Sequence, residues 1–151
     1  MFSLPFKVKF LLSASTIDSV EIESHSHLHW EIFGHLKDPK VEKMIHSWME
    51  AYSSRKQCKI QLPINTKNYS SYTQSIWSAL RKVPFGETIT YKELAKVTGR
   101  PDAARAVGNA CGKNPCLLVI PCHRVIASDG SLGGFSAGLN LKQTLLDFEK
   151  S

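Results

Sequence analysis

The sequence predicts an α+β chain, and three observations carry that expectation. Strand-like composition is confined to the first part of the chain, at Phe6 to Leu12 and Ser19 to Glu23. Helical spacing dominates after residue 38, and the polar, irregular stretch Ser53 to Asn68 interrupts it. The 151 residues suffice for one ordinary domain or two small ones sharing a core. The irregular stretch, with Pro63 and Lys67 read as exposed, sets a boundary near Ile64 and gives domains 1–64 and 65–151.

The first strand carries Lys7 and Lys9 among apolar residues, and Met1 to Leu12 is read as a strand, not as a signal peptide. Thr16 to Ser19 is the expected turn before the second strand. His25, His27 and His29 recur at period two, so an extended segment would put them on one face. Three imidazoles can bind zinc, but the preferred reading is a solvated histidine-rich edge with no metal. Asp38-Pro39 is a helix start, with Asp as N-cap and Pro at the first helical position. Val41, Met44, Ile45, Trp48, Met49 and Tyr52 then form an apolar stripe that belongs to the core.

Tyr72 to Lys82 reads as a helix with Ile76, Trp77 and Leu80 inward, stopped by Pro84-Phe85-Gly86. Thr90 and Glu93 form a capping box for a short helix, Tyr91 to Val97. Gly99-Arg100-Pro101-Asp102 is a turn, with Asp102 as the expected cap of a second helix, Ala103 to about Cys111. Two short helices across a tight Gly-containing turn make a helix-turn-helix. The second helix is built of small residues, among them Ala104 and Gly108, with Arg105 the long side chain of its first turns. Such a helix can approach a nucleic-acid backbone closely, although well-packed helices use Ala and Gly too. Asp129-Gly130 is a turn, and Gly133, Gly134 and Gly138 around Phe135 and Ser136 make a pliable loop suited to a flat ligand. Leu139 to Glu149 closes the chain as a helix.

Charge is uneven. The net charge is +6, yet residues 1–60 are close to neutral, and the excess gathers in residues 72–124. There Arg81, Lys82, Lys92, Lys96, Arg100, Arg105, Lys113 and Arg124 face only Glu87, Glu93 and Asp102. A basic half suggests a polyanionic partner, nucleic acid first. Cys58, Cys111, Cys116 and Cys122 lack CxxC spacing and read as reduced thiols of a cytoplasmic protein, or a nuclear one in a eukaryote. No window has the apolar length to span a bilayer, so no membrane partner is expected.

Asn114 to Val125 carries the chemistry. Leu117 to Ile120 is a short apolar run between Pro115 and Pro121, which fits a buried extended segment. Cys122, His123 and Arg124 follow where the chain leaves it. A thiol acts as thiolate, and a neighbouring base and cation would lower its pKa. A free cysteine is usually an inert apolar plug; the proline-bounded run and its charged exit argue for a reactive one. Adjacent strand residues point to opposite faces, so a direct Cys122–His123 hydrogen bond is not required, and a water could bridge them.

Pro-Cys-His-Arg-Val at 121–125, after Asn114-Pro115 and the apolar run, resembles the active-site signature of the O6-alkylguanine-DNA alkyltransferases (methylated-DNA–protein-cysteine methyltransferases). The likeness runs from about Tyr72 to Glu149. It takes in Thr-Tyr-Lys-Glu-Leu-Ala at 90–95, Ala-Ala-Arg-Ala-Val-Gly at 103–108 and Gly-Gly-Phe-Ser-Ala-Gly at 133–138. It implies a small N-terminal α/β domain with an antiparallel sheet (RNase H-like), and a mostly helical C-terminal domain whose helix-turn-helix binds the minor groove. The implied partner is double-stranded DNA containing O6-alkylguanine, met by a monomer without cofactor. Family members that carry a metal in the N-terminal half bind it partly by cysteine, and none precedes Cys58 here.

The resemblance also assigns roles. Cys122 is the acceptor, His123 its general base through water, Glu149 the group that orients His123, and Asn114 the brace of the turn. Tyr91 pushes on the phosphate and donates to a guanine ring nitrogen. Arg105 fills the place of the extruded nucleotide. Lys92, Arg100 and Ser128 contact phosphates, and Tyr72, Ala104 and Gly108 belong to the DNA-binding surface. Backbone groups near Cys122 and Val125, with Ser136, meet the base, while Phe135, Gly133 and Leu117 complete the pocket wall. Phe135 replaces the Tyr of many relatives and Leu117 the Pro of some, changes that bear on alkyl range. The implied reaction is a single irreversible transfer from O6-alkylguanine, with O4-alkylthymine as a further substrate. The alternative is a non-enzymatic alkyltransferase-like lesion binder, which lacks the reactive cysteine. A thiol hydrolase leaves the arginine-bearing helix unexplained, and a plain helix-turn-helix regulator leaves Cys122 idle.

Overall fold

The computed structural model of the chain describes residues 6–35 and 38–150. The chain divides into two compact units, Met1–Thr66 and Lys67–Ser151, and is of mixed α+β class. Among the described residues, no helix is long and apolar enough to cross a membrane.

In the first unit, β1 (Phe6–Ser13) pairs antiparallel with β2 (Thr16–Ser24). The link is Ala14-Ser15, with Ala14 at φ 55°, so the turn lies two residues before the one expected and Thr16 to Ser19 are strand. A two-residue loop matches the right-handed twist of the strands it joins when its φ is positive, which places the reversal there. β3 (His29–Phe33) lies on the other side of β1 and runs parallel to it, giving the order β2-β1-β3. The sheet is therefore mixed, not antiparallel. β1 takes the middle because Phe6, Val8, Phe10 and Leu12 all turn inward, and a central strand buries the most apolar surface.

His25 and His27 fall in the bend between β2 and β3, and only His29 is in a strand. The bend, not a shared strand face, gathers the three rings at centroid distances of 4.7, 6.2 and 6.4 Å. Among the described residues no group of three or more His, Cys, Asp or Glu side chains is arranged to hold a metal.

The helix α1 (Pro39–Ser53) opens where Asp38 accepts the amide of Lys40, and it buries Val41, Ile45, Met49 and Tyr52. Met44 and Trp48 are only half-buried. The segment after α1 is not a free linker. Leu62 is buried, Pro63 is half-buried with its carbonyl accepting from the Ile17 amide, and Ile64 bridges to Ile17. The unit closes by adding this strip to β2.

In the second unit, α2 (Ser71–Leu80), α3 (Tyr91–Val97) and α4 (Ala104–Gly112) pack on one another. Ser70 caps α2, whose buried face is Ile76, Trp77 and Leu80, and the Trp77 indole donates to the Ala110 carbonyl of α4 at 3.0 Å. Thr90 caps α3 by accepting the Glu93 amide at 3.0 Å. Asp102 does not cap α4. The N-cap position is Ala103, one residue later, and no side chain bonds to it. A two-stranded parallel ladder, β4 (Ile89–Thr90) with β5 (Val125–Ile126), had no strand-length signal in the sequence.

The apolar run before Cys122 is not a strand. Residues 117–119 form a buried turn, with the Ile120 amide donating to the Cys116 carbonyl at 2.9 Å and Leu118 at φ 74°. A branched residue in the left-handed region costs about 1–2 kcal/mol. Asn114 holds the turn against that cost: its Oδ1 accepts the Cys116 amide and its Nδ2 donates to the Ile120 carbonyl, both at 2.8 Å. The chain then enters a 3-10 turn, Cys122–Arg124, and passes into β5. The closing helix α5 (Leu139–Lys150) buries Leu141, Leu145, Leu146 and Phe148, together with Lys142 and Glu149.

Candidate active site

Cys122 is 4% exposed and lines a cavity of about 120 Å³ with Tyr91, Gly108, Cys111, Gly112, Gly134, Phe135 and Ser136. Gly108, Cys111 and Gly112 stand at i, i+3 and i+4 on α4, so one helix face forms the wall. Arg105, exposed, precedes Gly108 by three residues and Gly112 by seven, on that same face. The thiol is thus buried yet borders a cavity, one wall of which is the face of α4 that also carries Arg105 one turn before Gly108. A larger open groove of about 1010 Å³, lined by residues of α2, the 83–89 segment and α3, holds no cysteine or histidine.

Among the described residues, neither of the two side chains after the thiol is seen to hydrogen-bond to it. Both turn away to Glu149. The Nε2 of His123 lies 2.7 Å from Glu149 Oε1, and Arg124 donates through Nε to Oε2 at 2.8 Å and through Nη2 to Oε1 at 2.9 Å. Arg124 Nη1 donates to the Val83 carbonyl at 2.9 Å. A 3-10 turn fans successive side chains apart, which sends His123 and Arg124 toward α5 while Cys122 faces the cavity.

Burial pushes the Cys122 thiol up; a hydrogen bond from Asn114 Nδ2 to Sγ at 3.1 Å and the charge of Lys142 oppose it. The resting group is a thiol that needs a base. Burial lowers the pKa of His123, against the pull of Glu149, and the ring is neutral. Burial alone would raise Glu149, but the His123 and Arg124 contacts hold it down to about 2. An ionised carboxylate can only accept, so His123 Nε2 carries the proton and Nδ1 the lone pair. That Nδ1 is buried without a hydrogen-bond partner among the described protein atoms. It is a free base one residue from the thiol.

Tyr91 accepts the Gly134 amide at its hydroxyl oxygen at 3.3 Å, which leaves its own proton to give. Gly133, at φ 72°, makes this approach possible, since a Cβ there would stand 2.7 Å from the Tyr91 oxygen. Gly133→Ala is expected to cost about 1–3 kcal/mol through strain and overlap together. A fall in the thermal midpoint checks this, and an unchanged midpoint would refute the close packing. Phe135 meets the His123 ring edge-on at 6.5 Å between centroids.

Other expected site residues are placed less centrally. Val125 is fully buried, with its carbonyl taken by Lys142 Nζ at 2.6 Å, and Leu117 is buried in the turn; neither lines the cavity. Gly133 borders it only through Tyr91. Lys92, Arg100, Ala104 and Ser128 are exposed. The Arg100 guanidinium lies over the Tyr72 ring at 4.1 Å, and the Tyr72 hydroxyl is 3.3 Å from Thr98 Oγ1, so Tyr72 props Arg100 from below.

Two residues of the site escaped the sequence reading. Cys111 is one; its spacing from Gly108 on a small-residue helix was the signal that could have found it. Burial pushes its thiol up to about 12, and no hydrogen bond of the kind Asn114 gives Cys122 is seen for it among the described residues. Lys142 is the other, fully buried on α5.

The family model for the DNA-binding domain of 6-O-methylguanine DNA methyltransferase matches residues 71–151. The chain belongs to this family. It is 46% identical over 103 residues to the methylated-DNA–protein-cysteine methyltransferase of Methanosarcina barkeri, covering 68% of this chain and 65% of that one. With the Mycobacterium tuberculosis enzyme of the same name it shares 37% over 126 residues, covering 83% and 73%. The matched segment spans about half, 53%, of the Methanosarcina acetivorans relative. Among solved structures it resembles M. tuberculosis OGT in complex with DNA, with TM-score 0.73, 29% identity and coverage of 95% and 92%. It also resembles S. pombe Atl1 in complex with damaged DNA containing O6-carboxymethylguanine, with TM-score 0.50, 31% identity and coverage of 54% and 78%.

Proposed function

We propose that the protein repairs DNA by moving an alkyl group from O6 of guanine to Cys122, once per molecule. The observation that carries this reading is a buried thiol in a small cavity, with an unpaired imidazole nitrogen on the next residue and a cation-bearing helix face alongside. The target atom lies on the pairing edge of a stacked base, so the nucleotide must leave the duplex, at a few kcal/mol. Arg105 fills the vacated place, and α3 with α4 acts as a helix-turn-helix whose small residues fit a narrow groove. Lys92, Arg100 and Ser128, all exposed, meet phosphates. The first unit is read as RNase H-like, supported by a central strand with one antiparallel and one parallel neighbour followed by α1.

In the cavity Tyr91 gives a proton to the guanine and Ser136 meets its edge. His123 Nδ1 takes the thiol proton through water, with Glu149 fixing the tautomer. The S–C bond forms as the C–O6 bond breaks, and the proton lost by sulfur balances the one the departing guanine gains. The product thioether is stable to mild hydrolysis, so no turnover follows and no cofactor is needed. A lesion binder of the Atl1 kind has no use for this thiol and its base.

Incubation with a duplex bearing O6-methylguanine, followed by intact-mass measurement, is expected to show one methyl addition mapping to Cys122 and not to Cys111. Cys122→Ala removes it. A wild-type protein that binds the duplex but gains no mass from it or from O6-benzylguanine would sink the proposal.

A further inference from the structure

Tyr72 is a half-buried aromatic residue in the first turn of α2, and it does not line the cavity. The Arg100 guanidinium sits over its ring at 4.1 Å from the centroid, within cation–π range. The hydroxyl end of the ring is fixed as well. Thr98 Oγ1 lies 3.3 Å from it and already gives its one proton to the Leu94 and Ala95 carbonyls, at 2.9 and 3.0 Å, so the Tyr72 hydroxyl is the donor. Arg100 is also held at its backbone: its amide donates to the Ala95 carbonyl at 3.0 Å, and its carbonyl accepts the Ala103 amide at 2.9 Å. Its side chain is exposed, and among the described residues the Tyr72 ring is the one partner seen for the guanidinium. A free arginine samples many rotamers and loses that freedom when it pairs with a ligand. Seated on a ring that cannot turn, Arg100 has given up much of it beforehand. A ring attracts the cation without neutralising it, so the fork of N–H donors stays available for an oxyanion. Packing alone calls for no charge at this place, since an apolar side chain would cover the ring as well.

We propose that Tyr72 is a positioning residue for DNA binding: its ring pre-sets the Arg100 guanidinium, in the turn between α3 and α4, to take one backbone phosphate of the duplex. Tyr72 acts through Arg100 and not by its own hydroxyl, because a phosphate only accepts and the Tyr72 proton is already given to Thr98. The inference rests on the DNA-repair reading, in which Arg100 meets a phosphate, and adds the residue that presents Arg100 to it.

The test measures binding to an O6-methylguanine duplex over a range of salt concentrations, together with the single-turnover transfer constant at saturating protein. Arg100→Ala is expected to weaken binding about five- to tenfold and to lower the slope of log affinity against log salt by about 0.9, the share of one phosphate. Tyr72→Leu keeps apolar bulk but removes the ring face, and it should weaken binding about three- to fivefold. Tyr72→Phe keeps the ring and should bind within about twofold of wild type. The transfer constant at saturation should stay within about twofold in each variant, because the cavity is untouched. The double variant decides between positioning and mere structure: once Arg100 is alanine, Tyr72→Leu should weaken binding no further. An equal loss from Tyr72→Leu in both backgrounds overturns the proposal. So does a Tyr72→Leu protein that binds like wild type, or one whose binding falls only in step with its unfolded fraction. If Tyr72→Leu does not fold, Arg100→Lys carries the comparison, since lysine keeps the charge but loses the planar group that stacks on the ring. It should bind at least about threefold more weakly than wild type, and wild-type binding by Arg100→Lys overturns the proposal. A wild-type protein without affinity for the duplex overturns the underlying reading and this inference with it; a wild type that binds and forms the Cys122 adduct, with Arg100→Ala binding as tightly, overturns this inference alone.

Discussion

Glu149→Ala is expected to destabilise the protein by about 3–5 kcal/mol, the cost of stranding a buried charge whose partner is removed. Glu149 is 5% exposed and Arg124 6%, and the carboxylate accepts two bonds from the guanidinium and one from His123. Removing it leaves Arg124 with the Val83 carbonyl alone and His123 Nε2–H with nothing. Urea unfolding should show a lower midpoint at an unchanged slope. Acid adds a second signature. The folded carboxyl titrates at about 2 against an ordinary 4.5, so its contribution is present above about pH 4.5 and is lost as pH falls through 2. Wild-type stability should decline across that window, and the alanine variant should lack that part of the decline. Equal acid limbs would mean that Glu149 is not ionised in the fold, and the tautomer assigned to His123 would fall with it.

Elements fixed by short-range chemistry were legible in the sequence, and those fixed by contacts across the chain were not. Asp38-Pro39 and Thr90 with Glu93 announce helix starts because a cap and its amide lie two or three residues apart. The apolar run after Cys116 announced burial correctly but not its shape. A buried turn and a buried strand have the same composition, and what selects the turn is Asn114, six residues from the Ile120 carbonyl it holds. The thiol and its base were named from adjacency. Yet His123 and Arg124 act through Glu149, about 25 residues on, and a local reading could not aim their side chains. Lys142 left no trace because its partners are carbonyls, which every residue has. β3 parallel to β1 was hidden for a related reason: alternation tells which face of a strand is buried, but not which neighbour it takes.

Asn114 offers the sharper test of the thiol itself, because two substitutions there should separate bracing from activation. The amide makes three bonds: Oδ1 accepts from the Cys116 amide, and Nδ2 donates to the Ile120 carbonyl and to Cys122 Sγ. Asn114→Ala removes all three and leaves a buried amide and carbonyl unpaired around a turn that already holds Leu118 at φ 74°. A loss of about 2–4 kcal/mol is expected, together with slower transfer. Asn114→Asp keeps the bond from the Cys116 amide and places oxygen, and negative charge, against the sulfur and the Ile120 carbonyl. A like charge beside the thiol raises its pKa further above the value burial already sets. Transfer at neutral pH is therefore expected to drop by about 100-fold or more in the aspartate variant, below the alanine variant. The pH profile of transfer should move to higher pH for Asn114→Asp, while for Asn114→Ala it should move less. Were the two variants to react alike at every pH, the Nδ2–H to Sγ bond would have no part in stabilising the thiolate, and Asn114 would be a brace of the turn and nothing more.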